Sequence, residues 1–392
     1  MKKIILMIIP LLLLTGCWNY NELNNIAIAT GIAIDKIDNQ YEITYLISNA
    51  KKTEVSAKEG EPGITTYSGV GDTIQEAMND VKLKMPFTPY NGHIVVTIIS
   101  DKIAQEGITD VLDIAARDTE SRDFFYLLLS KDIEAKKVLE IISPLETMPS
   151  QTLASDIETL NKTSSLIYKI TYNDFMYTLL EEGKNPILNS VTILGNIEEG
   201  NDEKNLTKTT PESTIKIDTI GIFKKDKLLG WTDNDENEAI NILNNKTDGI
   251  YIKTKCEDNY VISYIKGLKT KTKIDIDNNK VKVDITGDGT ILEANCNIDL
   301  KDPKVTEELE ANIKKRMEEI INKGTNLVQK ELNSDVLGYG MLVHKKNPKK
   351  WKEIKNNWDE IFKNLEIEPN IKINIKSKGS LIQTIKEANN EK

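Results

Sequence analysis

Few side chains in this chain of 392 residues combine a reactive type with a telling position, and Cys17 is foremost among them. It closes the opening run MKKIILMIIPLLLLTGC. Lys2 and Lys3 precede an apolar stretch over residues 4–14, interrupted only by Pro10. A permanent membrane-spanning helix needs about 20 apolar residues, so this stretch is too short to be one. Its layout is that of a signal peptide, here residues 1–16. Thr15 and Gly16 are small enough for a peptidase that requires an extended, uncrowded backbone. The Cys17 thiol is then the nucleophile that can take a thioether-linked diacylglycerol, which makes Cys17 the expected lipid-attachment residue. Two or more acyl chains, at about 0.8 kcal/mol per buried methylene, anchor a protein stably.

The pattern around Cys17 resembles the bacterial lipoprotein box, although Thr15 stands where Ala or Ser is more usual. Other chemistry is sparse. The two histidines, His93 and His344, are far apart and in no metal-ligand spacing, so each reads as structural. There is no G-x-S-x-G, no H-E-x-x-H and no phosphate loop of the Walker kind. Gly69-Val70-Gly71 reads as a tight turn feeding a helix cap at Asp72. The acidic run over residues 232–238 has oxygen ligands at suggestive spacing for calcium. It lacks the glycine and glutamate of a calcium loop, and a carboxylate-rich helix start explains it equally well. Arg117, Asp118, Glu120, Arg122 and Asp123 form a dense cluster that reads as a surface ion-pair network. No catalytic residue, metal ligand or cofactor site is expected, and the chain does not read as an enzyme.

The elements that carry these residues follow from periodicity. Residues 26–35 and 41–48 alternate as a hairpin after a short polar lead over 18–25. Residues 51–66 read as a loop. Ile74, Ala77, Met78, Val81 and Met85 make a helical stripe, with Asp72 and Gln75 as a capping box. Buried strands are expected over 93–100 and 124–129, and helices over 109–117, 132–142, 150–161 and 172–182. Residues 191–196 and 215–224 read as strands, and the polar segment 197–214 between them as a mobile loop. A strand over 228–232 and a helix over 234–244 follow.

The last third alternates most clearly. Residues 250–256, 260–275 and 280–292 form a long-stranded antiparallel meander. Asp302-Pro303 starts a long helix whose stripe runs from Val305 to Val328. Asn347-Pro348 starts a second, with Trp351, Ile354, Trp358, Ile361, Phe362 and Leu365 on its stripe. Residues 371–376 close the sheet, one face under helices and the other wet. Cys256 and Cys296 lie near the two ends of this meander. An extracytoplasmic site permits a disulfide between them, and the plainer reading is two small strand residues. Gly338-Tyr339-Gly340 allows tight backbone passage.

The hydrophobic fraction of 39% supports real cores, and the length suggests two or three domains. After loss of Lys2 and Lys3 the chain carries 49 basic and 61 acidic residues, a net charge of −12. Such a surface disfavours nucleic acid, and anionic headgroups repel it, so lipid must hold it at a membrane.

Several patches, in order, resemble the C-subunit lipoproteins of spore nutrient germinant receptors, the Ger(x)C family. They are Cys17-Trp18-Asn19-Tyr20-Asn21-Glu22-Leu23, residues 27–35, Gly92-His93-Ile94-Val95-Val96, and residues 114–118 with Arg122 and Asp123. Residues 221–231, Ser334-Asp335-Val336-Leu337-Gly338-Tyr339-Gly340, Asn347-Pro348, Trp351 and Trp358-Asp359 complete the set. The resemblance implies an α+β fold of three successive domains, each a mainly antiparallel or mixed sheet packed with helices. Their expected bounds are 17–144, 145–245 and 246–385, the last containing the meander and two long helices. It also implies a non-catalytic subunit tethered to the outer face of the cell membrane, which is the inner membrane of the spore. There it would assemble with two integral membrane subunits of A and B type. An extracytoplasmic solute-binding lipoprotein of a transporter is the alternative, but that fold needs alternating βα units around a cleft, which the meander opposes.

Overall fold

The computed structural model describes residues 26–48, 63–163, 165–202, 204–256, 259–296 and 298–377. The expected signal peptide, Cys17, the polar lead and most of the expected loop over 51–66 lie outside the described residues.

The chain enters as β1 (Ile26–Ile37) and β2 (Gln40–Ser48), the expected antiparallel hairpin, turned at Asp38 and Asn39, which both have positive φ. β3 (Ile64–Gly71) pairs antiparallel with β2, so the last three residues of the expected loop belong to a strand. Its Thr, Ser and Gly content hid the alternation. α1 (Ile74–Lys84) is capped one residue later than expected: Thr73 and Glu76, not Asp72 and Gln75, make the capping box. Gly69 lies within β3 rather than in a turn. A Cβ there would stand 2.4 Å from Ala77 O, so glycine serves the close approach of strand and helix.

β4 (Thr88–Tyr90) and a 3-10 turn over Asn91–His93 lead to β5 (Val96–Ser100), α2 (Asp101–Glu106) and α3 (Thr109–Arg117). Then come β6 (Tyr126–Ser130), α4 (Ala135–Glu140), α5 (Pro149–Thr163) and α6 (Tyr172–Leu180). β7 (Ile187–Gly195), α7 (Lys204–Thr207), β8 (Ser213–Lys224), β9 (Lys227–Trp231) and α8 (Asn234–Leu243) complete this half.

The strands form one sheet in the order β3-β2-β1-β5-β6-β7-β8-β9, with β4 beside β1. Its centre is parallel and both flanks are antiparallel. Every residue of β5 and β6 is buried, as strands covered on both faces must be. Ile99, Leu127 and Leu129 face one core, and Val96, Ile98 and Leu128 face a second core under α4 and α5.

The α+β class and the mixed sheet agree with expectation, but the partition into sheets differs. Residues 17–144 and 145–245, expected as separate domains, share this sheet, because β6 pairs with β7 at Leu129↔Ser190 and Ser130↔Val191. Pro144 and Pro149 punctuate the chain locally around α5, and local punctuation does not say which strand a later strand will join. The polar segment expected to be mobile is also folded down. Asn205 is 0% exposed. Its Nδ2 donates to Ile142 O (2.7 Å) and Ser213 O (3.1 Å), while its Oδ1 accepts from Ser213 N (3.1 Å). A polar residue can be buried once its hydrogen bonds are complete, and composition alone did not reveal that.

The second sheet has the order β10-β11-β12-β13, made of β10 (Gly249–Cys256), β11 (Asn259–Asp275), β12 (Lys280–Ala294) and, after the helices, β13 (Glu366–Ser377). The first three are the expected meander, and β13 lies parallel to β12. Cys256 and Cys296 are joined as a disulfide, with Cα atoms 6.2 Å apart, rather than being two independent small residues. The β10–β11 hairpin and the end of β12 bring them together. A cross-link over about 40 residues restricts the unfolded chain by about 4 kcal/mol in the loop-entropy model.

α9 (Pro303–Asn326) begins at Asp302 as expected and covers this sheet through Leu309, Ile313, Met317 and Ile320. The expected second long helix is broken. After a π-helical turn over Leu327–Glu331 come α10 (Tyr339–Lys346), α11 (Pro348–Ile354), a 3-10 turn and α12 (Trp358–Asn364). Trp351, Trp358, Phe362 and Leu365 of the stripe are still buried, with Ile354 and Ile361 partly so, but it bends to follow the junction between the two sheets. One apolar core runs unbroken from Ile32 and Ile222 to Ile250, Val283 and Trp358.

Candidate functional site

A cavity of about 440 Å³ opens between α1, α3 and the face of the first sheet. Ile32, Ile34 and Leu127 contribute its apolar floor, and Val111 and Leu112 of α3 line one side. α1 closes the other side with Gln75, Met78 and Lys82. The turn after α3 brings the charge cluster to the mouth.

Asp118 is the residue of that cluster that faces the cavity from partial burial. Its Oδ2 accepts from Asn91 Nδ2 (2.7 Å) and Ser121 Oγ (2.8 Å), and its Oδ1 from Glu120 N (3.0 Å). Burial pushes its pKa up, but these hydrogen bonds outweigh burial and hold the carboxyl below the usual range. No cation pairs with it among the described residues. The expected network across the cluster therefore does not form. Arg117 instead makes a two-point contact back along α3 to Asp113, at 2.7 and 3.1 Å, while Arg122 and Asp123 are exposed. Asn91 presents Nδ2 to the carboxylate because the reverse orientation would set two acceptors face to face. Its Oδ1 is left buried and, among the described residues, without a partner. Tyr45 lies in the same wall, and burial raises its phenol, which stays neutral.

The remaining singled-out residues do not converge on this cavity. His93 is exposed in the 3-10 turn, beside Tyr90, and β5 begins three residues after it. His344 stacks on Trp351 at 5.8 Å. The acidic run is a helix start: Asp233 caps α8, Asp233 pairs with Lys323, and Asp235 meets Arg316 at 2.7 Å. Among the described residues no group of three or more His, Cys, Asp and Glu side chains is arranged to hold a metal ion. None of their helices is long and apolar enough to cross a membrane.

A second constellation, which the sequence suggested only as tight backbone passage, lies where the two sheets meet. Asp335 is 3% exposed. Its Oδ1 accepts from Tyr339 N (3.1 Å), and its Oδ2 from Gly340 N (2.8 Å) and Trp358 Nε1 (3.0 Å). Burial nonetheless dominates and pushes its pKa up to about 6. Gly183 and Gly340 pass so closely that a Cβ on Gly183 would stand 2.4 Å from Gly340 C. Met341 N donates to Gly183 O, and Asn185 N to Asp335 O, both at 2.8 Å. Ser334 Oγ donates to Phe223 O, Lys224 Nζ to Asn333 O (3.1 Å), and Trp351 Nε1 to Glu182 Oε2 (2.6 Å). Burial lowers the Lys184 ammonium, which stands near Asp335. The signal for this constellation was present in Ser334–Gly340 and Trp358, but only folding brings them against residues 182–186.

Comparison with known proteins supplies the remaining findings. Residues 19–193 match the family described as "Spore germination protein N-terminal domain". Residues 218–379 match the one described as "Spore germination B3/ GerAC like, C-terminal". The chain is 26% identical to Spore germination protein KC of Bacillus subtilis (strain 168), covering 97% of this chain and 95% of that protein. It is equally identical to Spore germination protein B3 of the same organism, over 97% and 98%. Its fold is similar to that in "Crystal Structure of the GerBC protein", with a TM-score of 0.57 and 21% identity, covering 88% of this chain and 97% of that one.

Proposed function

Because the chain belongs to this GerAC-like family of spore germination proteins, we propose that it is the lipid-anchored, non-catalytic C subunit of a spore nutrient germinant receptor. In this reading residues 1–16 are removed on export and Cys17 carries the lipid. The body sits at the outer face of the cell membrane, which becomes the inner membrane of the spore, and it assembles with two integral membrane subunits. The observation that carries the reading is that both family models match in order along one chain, downstream of a cysteine suited to acylation.

Physical chemistry supports it from two sides. A body of net charge −12 is repelled by anionic headgroups, so its attachment rests on acyl chains. The two sheets share one core and the interlocked backbone around Asp335, which suits a component that passes force or position rather than one that opens around a solute.

Replacing Cys17 by Ala and fractionating sporulating cells tests the tether. The variant is expected in the soluble fraction, and unchanged sedimentation with membranes overturns it. Loss of nutrient-triggered germination on deletion, and co-purification of a tagged chain with two polytopic proteins, are the results expected for the receptor role. Normal germination in a strain without paralogues overturns that role.

A further inference from the structure

We infer that the cavity between α1, α3 and the first sheet is a binding site for a small molecule with an apolar body and a cationic, amine-type head. Three observations carry this. The first is size: about 440 Å³ lies within the range of small-molecule pockets and far exceeds a packing defect. The second is lining. Buried Ile32, Ile34, Val111, Leu112 and Leu127 surround the interior, so a guest there must be apolar along most of its length. The third is charge. Asp118 stands at the mouth, half-buried, and its partners are all neutral donors: an amide, a hydroxyl and a backbone N–H.

The neighbouring charges do not cancel it. Arg117 and Lys82 also line the cavity, but Arg117 is held by a two-point contact to Asp113 and Lys82 is exposed to solvent, while Glu120 adds a second negative charge. An anionic head placed there meets repulsion, whereas an ammonium gains a charge-assisted hydrogen bond in a partly dehydrated setting. α1 is also the wall best able to admit a guest. It faces the cavity with half-exposed Met78, a flexible and adaptable side chain, and with Gln75 and Lys82 rather than with interlocked core residues.

The test uses the full chain with 13C-labelled methyl groups and three matched probes: n-pentylamine, 1-pentanol and pentanoate. Pentylamine is expected to shift the methyl signals of Ile32, Ile34, Leu112 and Met78 saturably, while Ile371 and Ile373 of the second sheet stay put. Pentanoate is expected to bind at least about ten-fold more weakly. Asp118→Asn should remove most of that preference while leaving the spectrum of the second sheet unchanged. Met78→Trp, at a half-exposed position lining the cavity, should block all three probes. The absence of any saturable shift, or shifts spread over both sheets, overturns the site. Pentanol or pentanoate binding as tightly as the amine, or a preference unchanged in Asp118→Asn, overturns the cationic head. The readout is binding to the isolated chain, so its failure leaves the receptor assignment standing.

Discussion

Asp118 and Asp335 are each held by three hydrogen-bond donors, yet the two sites behave as opposites. At Asp118 the donors come from one turn and from Asn91, water still reaches the carboxylate, and the pKa falls below the ordinary value. At Asp335 the donors come from α10 and α12, the backbone of residues 183–185 closes over the site, and the pKa rises to about 6. Donor number is the same, so access to water decides the sign. The first arrangement leaves a charge available to a ligand. The second spends its carboxylate on joining two helices and a loop.

The strongest test of this contrast is Asp335→Ala. It strands the Tyr339 and Gly340 N–H groups and the Trp358 indole in a closed interior. A loss of about 3–5 kcal/mol in urea-induced unfolding is expected, of the size seen when one partner of a buried polar cluster is removed. A loss below about 1 kcal/mol would mean that water replaces the carboxylate and the junction is not closed.

The pH dependence comes next. The folded Asp335 keeps its proton up to about pH 6, whereas the unfolded chain releases it near the ordinary carboxylate value. The folded state therefore binds more protons in this window. Its contribution to stability is present in full below about pH 4 and is lost as the pH rises through about 6, by about 3 kcal/mol. Asp35, buried where it accepts from Ala135 N and Lys136 N and also pushed up to about 6, acts in the same direction. Unfolding measured at pH 4 and pH 7 should show a smaller decline in Asp335→Asn than in the parent chain. An unchanged decline would place the Asp335 pKa near normal.

Removing only the indole donor is a finer probe. Trp358→Phe keeps an aromatic ring against Trp351 and Phe362 but withdraws one hydrogen bond, with about 1 kcal/mol of stability expected to go. The smallest effect belongs to the open site. Arg117→Ala breaks an exposed pair with Asp113, and no measurable change in unfolding midpoint is expected. A clear loss there would mean that the α3 end is built into the core as Asp335 is.

Much of this architecture was legible because its signals are local. The meander over 249–294, the long helix from Asp302-Pro303 and the β1–β2 hairpin each follow from side-chain period and turn residues within one segment. β3 was missed because its Thr, Ser and Gly residues carry little hydrophobic contrast, and the helix over 348–365 was read as unbroken because a stripe persists through a bend. The cavity was invisible. Asn91, Asp118 and Leu112 touch the same space only after α1 and α3 settle on the sheet, and a void leaves no mark on composition.

The sequence by itself determined the net negative charge, the α+β class and the family to which its ordered patches point. These properties depend on residue types and on neighbours a few positions apart. Only the tertiary structure decided that β6 and β7 join residues on both sides of 145 into one sheet, that Cys256 and Cys296 meet, and that Asp118 stays wet while Asp335 is sealed. Each of these depends on which distant segments exclude water together, and pairing across the fold has no period to be read along the chain.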